Sequence, residues 1–246
     1  MSIAPHVKPY LAALPSAAGR TAVVTGGNAG LGRETALFLA HQGASVVIAA
    51  RDPVRAEEAR AYVLAAVPGA DVSVERLDLA SLASVEACAA RLAGRQVDLL
   101  VCNAGIMAVD RAVTEDGFES QIGVNHLGHF ALVGHLFAGL AGRLGARVVV
   151  VTSSAAYLGR VDLDDLMGDR SYDRWSAYNQ SKLANDMFVL ALARRFAAVQ
   201  GVATAHAAHP GLVFTQLQRR LLDEVEDLPW SDRLFLGRVT PAIGQD

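Results

Sequence analysis

Six short runs rich in Val, Ile, Leu and Ala recur along the chain, at 21–25, 45–50, 72–77, 97–102, 147–152 and 202–207, without clear alternation between apolar and polar residues. A strand that is apolar on both sides must be covered on both sides. The cover is supplied by longer amphipathic stretches between the runs, at about 31–41, 53–67, 82–92, 117–140 and 177–199. This pattern predicts an α/β fold, a doubly wound parallel sheet with helices on both faces. Local punctuation agrees: Ser81 stands before one helix, and Pro53 opens another at a first-turn position. A length of 246 residues suits one domain over 1–246, with an N-terminal extension at 1–18.

Composition narrows the function. Apolar residues make up 52% and charged residues 19%, with a net charge of −3, so the chain has no basic footprint for nucleic acid. No stretch approaches the roughly 18 consecutive apolar residues of a membrane span. The first 18 residues are broken by Pro5, Pro9 and Pro15 and fit neither a signal peptide nor an anchor. Cys88 and Cys102 fall in an expected helix and an expected strand and read as buried thiols, which points to a cytoplasmic location with neither nucleic acid nor membrane as partner.

After the first run comes Thr25-Gly26-Gly27-Asn28-Ala29-Gly30-Leu31-Gly32, leading into a helix. Glycines allow a tight turn and close backbone approach, and a helix N-terminus offers free N–H groups to a pyrophosphate. Between a first strand and a first helix this turn reads as a dinucleotide site, with Gly26, Asn28, Gly30, Leu31 and Gly32 as candidate contacts. The second run ends Ala49-Ala50-Arg51, with Ala50 where an NAD site would place a carboxylate. A guanidinium at Arg51 suits a ribose 2′-phosphate, so NADP(H) is expected over NAD(H), with Arg33 a second candidate and Asp52 a neighbour able to offset the charge.

Tyr178 and Lys182 are four residues apart in the last amphipathic stretch, on one helical face. A cation beside a phenol favours the phenolate and draws its pKa from about 10 toward the range that acid–base catalysis uses.

These segments together resemble the short-chain dehydrogenase/reductase family over nearly the whole chain. The Gly-xxx-Gly-x-Gly spacing is one family signature, and Asp78-Leu79 after the third strand matches the family's adenine contact. Cys102-Asn103-Ala104-Gly105 matches its Asn-Asn-Ala-Gly strand end, with Cys102 replacing the first Asn. The resemblance implies that Asn103 braces the central sheet and that Ala104 and Gly105 clear space for the cofactor. Asn125 matches the asparagine that holds a proton-relay water. Ser154 matches the substrate-orienting serine, with Ser153 as the alternative hydroxyl, and Tyr178 and Lys182 match the acid/base and its lysine. Pro210-Gly211-Leu212-Val213-Phe214-Thr215 matches the segment beside the nicotinamide, adding Pro210, Gly211, Val213 and Thr215 to the cofactor contacts.

Residues 124–130 and 177–185 are similar to the retinol-dehydrogenase-like branch. That branch implies a Rossmann-type domain interconverting a carbonyl and an alcohol with NADP(H), on a small apolar substrate. Pairing into a homo-oligomer through the Tyr-bearing helix is a further implication. The rival reading is a non-catalytic NADP(H) sensor or scaffold. The family's usual seventh strand has no strand-like counterpart in 217–246, so a six-stranded sheet is expected. Residues 160–174 form a charged irregular segment just before Tyr178, read either as a solvated loop or as the rim of a substrate cleft. His126 and His129 share a helical face, but no third ligand suggests a metal.

Overall fold

The computed structural model describes residues 14–211, all within one unit that ends at Gly211. The expectations for 212–246, including the missing seventh strand, the extent of the single domain and the places of Val213 and Thr215, lie outside the described residues. So does most of the N-terminal extension.

Six parallel strands form one sheet: β1 (Thr21–Thr25), β2 (Ser45–Ala50), β3 (Val72–Arg76), β4 (Val97–Cys102), β5 (Arg147–Val151) and β6 (Thr204–Ala208), in the order β3-β2-β1-β4-β5-β6. The helices between them are α1 (Gly30–His41), α2 (Pro53–Ala66), α3 (Leu82–Leu92), a short turn α4 (Ser120–Ile122), α5 (Gly128–Ala141) and α6 (Arg174–Ala198). All six expected strands and four of the five helices match to within about three residues at each end. The exception is 117–140, read from sequence as one helix. It contains α4, a π-helical turn over Gly123–Leu127 and then α5. Its apolar residues run through all three pieces, so periodicity alone carries no sign of the wider turn.

The period-two geometry of a strand explains the two cores. Val23, Val47, Leu100, Cys102, Val148 and Val150 face one way and pack with residues of α3, α5 and α6. Their neighbours Ala22, Val24, Val46, Ile48 and Val101 face the other way and meet α1 and α2. Cys88 and Cys102 are free and buried, and burial pushes their thiols up to about 11 and about 12, which leaves them unreactive packing groups. Helix starts are capped, at Ser81 and Pro53 as the sequence indicates and also by two aspartates. Asp52 accepts from the Val54 and Arg55 N–H groups with Pro53 following, Ser81 from Ser84, and Asp173 from Ser176.

One buried carboxylate ties the far end of the sheet together. Asp98 on β4 accepts from the Thr21 N–H at 2.8 Å and from Arg143 Nε at 2.6 Å, just beyond α5. Burial raises its pKa, but Arg143 and the Thr21 N–H overcome this and hold it below the usual carboxylate value. The stability it contributes is therefore present above the unfolded-state pKa and is lost as pH falls through the lowered folded value. Asp98→Ala is expected to cost about 2 kcal/mol at neutral pH, with the deficit shrinking in acid, as measured by urea midpoints at several pH values.

Candidate active site

Every sequence-predicted site residue that is described stands at the carboxyl ends of the strands. There β1 and β4, adjacent in the sheet, send their chains to opposite faces, and such a switch point opens a crevice for ligands. The turn after β1 leaves no room for side chains. Gly26 has φ +64°, and a Cβ there would lie 2.9 Å from Ala104 Cα. A Cβ on Gly32 would sit 2.3 Å from the Gly26 carbonyl oxygen and 2.5 Å from Asn103 Nδ2. α1 therefore begins directly against the strand ends. Its N-cap, Ala29, has no side chain to bond the first-turn N–H groups, which leaves them available to an anion. These features fit a dinucleotide pyrophosphate at Gly26–Gly32, with Asn28 and Leu31 on the same turn.

Asn103 braces this turn. Its Nδ2 donates to the Thr25 carbonyl at 2.9 Å, while its own N–H and that of Ala104 donate to Thr25 Oγ1 at 2.9 and 3.0 Å. The replacement of the family's first Asn by Cys102 leaves these bonds in place. Gly105 brings the backbone close to Asn125 and Lys182, because a Cβ there would be 3.0 Å from Asn125 Oδ1 and 3.7 Å from Lys182 Nζ. Asp78 holds its own loop by accepting from the Ala80 N–H, and buried Leu79 lies against Gly128 at the start of α5. Arg51 is exposed and makes no ion pair among the described residues, while Asp52 is engaged as the cap of α2 rather than offsetting it. Arg33 is engaged otherwise, stacked 4.2 Å over the Tyr62 ring and paired with Glu34.

Tyr178 and Lys182 are both buried on α6, as the one-turn spacing requires. Lys182 Nζ donates to the Val151 carbonyl at 3.1 Å and lies 5.7 Å from the Tyr178 ring centre. Burial depresses Lys182 to about 8, with Asp186 opposing. Tyr178 departs from the sequence expectation: burial raises its phenol above the ordinary value, and a hydrogen bond with Ser153 pulls only part of the way back. Desolvation of the buried phenol outweighs what the Ser153 hydroxyl gives back.

The hydroxyl in contact with Tyr178 is that of Ser153, whereas Ser154 is exposed at the first position of a 3₁₀ turn, Ser154–Leu158. Asn125 is fully buried in the π-helical turn, and protein groups occupy its amide. Oδ1 accepts from the Ile106 N–H at 2.8 Å, and Nδ2 donates to the Ile106 carbonyl and to Ser181 Oγ. The observed part of Asn125 is thus to lock the loop after β4 onto α6. Pro210 and Gly211 follow β6 and are exposed.

Residues 160–174, although largely exposed, are fastened to the rest of the domain by hydrogen bonds. Gln180 donates to the Leu166 carbonyl and accepts from the Asp162 N–H, and Arg111 bonds Asp169 and the Gly168 carbonyl. Tyr172 reaches the Val109 carbonyl and the buried carboxylate of Glu119, and Gln121 bonds Tyr172 and the Ala108 N–H. Nothing in the spacing of Glu119, Gln121 and Tyr172 marks them in sequence, because they meet only through the tertiary fold. Among the described residues no group of three or more His, Cys, Asp or Glu could hold a metal ion, and no helix is long and apolar enough to cross a membrane. Because the atom nearest an added Gly32 Cβ is backbone, Gly32→Ala is expected to lower stability by about 1–3 kcal/mol, read from thermal unfolding.

Residues 20–226 match the short chain dehydrogenase family. The chain is 41% identical to retinol dehydrogenase 12 of Mus musculus over 204 residues, covering 82% of this chain and 64% of the relative. It is 45% identical to polyprenol dehydrogenase of Mus musculus over 213 residues, covering 84% and 63%. The chain thus spans a little under two thirds of the length of these curated relatives. A crystal structure of an uncharacterized protein from Mycobacterium Paratuberculosis is 48% identical, with a TM-score of 0.76 over 84% of this chain and 74% of that one. With the sheet order, the glycine turn and the Tyr–Lys helix all in agreement, the chain belongs to the short chain dehydrogenase family, in its retinol-dehydrogenase-like branch.

Proposed function

We propose that this chain is an NADP(H)-dependent oxidoreductase that interconverts a carbonyl and an alcohol on an apolar substrate. The observation that carries the reading is the meeting of Tyr178, Lys182 and Ser153 across the crevice from the glycine turn. A bound dinucleotide would supply hydride chemistry; the protein supplies position and proton transfer. The α1 N-terminus and Gly26–Gly32 would hold its pyrophosphate, Asp78 and Leu79 its adenine, and Lys182 the ribose next to the reacting ring. Ser153, with Ser154 beside it, holds the substrate oxygen, and the Tyr178 hydroxyl gives that oxygen a proton in reduction or takes one in oxidation. A phenol raised by burial keeps its proton at neutral pH, which suits donation to an oxygen that gains negative charge. Asn125 keeps the loop after β4 and the Tyr-bearing helix in register.

The substrate class rests on two supports. Both curated relatives are named for alcohols with long apolar chains. In addition, Tyr157, Leu158 and Leu163 are large apolar side chains left exposed on the segments flanking Ser153 and the rim. Single exposed apolar residues are ordinary, but three on adjoining segments suit a surface that receives an apolar molecule.

Tyr178→Phe is expected to reduce turnover of a panel of aldehydes and ketones at least a thousandfold while leaving NADPH affinity within about threefold, as seen by nucleotide fluorescence. Retained turnover would remove Tyr178 from the chemistry. Arg51→Asp should move the ratio of NADPH to NADH efficiency at least tenfold toward NADH, the worth of about one charge-assisted contact. An unchanged ratio would show that Arg51 does not meet the 2′-phosphate.

A further inference from the structure

His129 is the one fully buried imidazole among the described residues, and both of its nitrogens have partners. Nδ1 lies 3.0 Å from the main-chain carbonyl oxygen of Asn125, which can only accept, so Nδ1 carries the proton. Nε2 lies 2.8 Å from Thr25 Oγ1. That oxygen already accepts the N–H groups of Asn103 and Ala104, so its two lone pairs are used and its own proton must be donated. The closer acceptor is Nε2, since the Val101 carbonyl is 3.4 Å away. One tautomer is therefore fixed: Thr25 O–H donates to Nε2, and Nδ1–H donates to Asn125.

Burial, reinforced by the nearby charges of Lys182 and His126 and opposed by the Asn125 bond, holds the ring down to about 4, so it is neutral at physiological pH. Its two bonds end on different parts of the site. Thr25 immediately precedes Gly26 and is the residue on which Asn103 and Ala104 fasten the glycine turn. Asn125 clamps Ile106 and Ser181, and Ser181 Oγ donates to the Tyr178 carbonyl at 2.7 Å. A continuous path of hydrogen bonds thus runs from the cofactor turn through the imidazole to the catalytic helix.

We propose that His129 is a positioning residue that sets the dinucleotide turn and the Tyr178 helix in register, so that cofactor and proton donor present themselves to the substrate together. It rests on the function proposed above. A plain apolar side chain would fill the same volume between α5 and the sheet, and Leu132 and Val133 nearby do so. The imidazole adds two directed bonds of opposite sense, which hold two backbones at a fixed separation.

The test uses three variants of the full chain. His129→Leu removes both bonds. His129→Gln places an acceptor where Nε2 lies and can keep Thr25, whereas His129→Asn places a donor where Nδ1 lies and can keep Asn125. His129→Leu should weaken NADPH binding, by fluorescence titration, and lower kcat, each at least tenfold. His129→Gln should restore NADPH affinity to within about threefold while kcat stays low, and His129→Asn should show the reverse split. Unchanged affinity and kcat in His129→Leu, or equal losses of both in all three variants, would overturn the proposal. If His129→Leu does not fold, the Gln and Asn variants decide by the same split. If the wild type binds NADPH without turning over the panel, the oxidoreductase reading fails alone, and the Gln and Leu affinities still decide the Thr25 half. If it binds no NADPH, amide hydrogen exchange decides: faster exchange at 25–32 in His129→Asn and at 103–108 in His129→Gln supports the coupling, and unaltered exchange at both overturns it.

Discussion

The hydroxyl of Thr25 is a single atom group on which the site depends. A parallel sheet that reverses its winding between β1 and β4 leaves the two strand ends without a ladder just where the ligand must lie. Thr25 closes that gap by accepting two N–H groups from the chain just after β4, across the switch point, and donating its own proton to a buried imidazole. Gly26 and Gly32 can then run against Ala104 and Asn103 at distances no side chain would permit. The crevice is shaped by backbone held close, and hydrogen bonds with no slack do the holding.

On the other side of the crevice, burial and charge oppose each other. Lys182 is enclosed and its proton is weakened toward about 8, while the phenol of Tyr178 is raised by the same enclosure. The protein's own groups therefore favour a protonated tyrosine beside a lysine of reduced basicity. A positive charge brought beside the phenol would shift the balance the other way.

The fold was legible because buried parallel strands have few alternatives. Six apolar runs separated by helix-length stretches, a glycine turn after the first and a Tyr–Lys pair in the last long helix define the architecture and the place of the chemistry. Less legible was anything that depends on which of two adjacent atoms meets a partner. Sequence offered Ser153 and Ser154 as neighbours, and only the way the chain leaves β5 puts Ser153 against the phenol and Ser154 in the open. The stretch 117–140 likewise reads as one helix, because its apolar residues run without a break through a π-helical turn too short to reset the pattern visibly.

Sequence by itself determined the sheet, the glycine turn, an arginine directly after the second strand and the one-turn spacing of Tyr178 and Lys182, since each depends on local geometry or on a strand's need to be buried. Tertiary structure alone decided the long-range contacts: Glu119 and Gln121 with Tyr172, Asn103 with Thr25, and His129 between Thr25 and Asn125. Those partners lie between about 50 and 104 residues apart except His129 and Asn125, which share one turn. No period or propensity encodes such distances. They become favourable only when packing has removed water and left each polar group to find a partner within the protein.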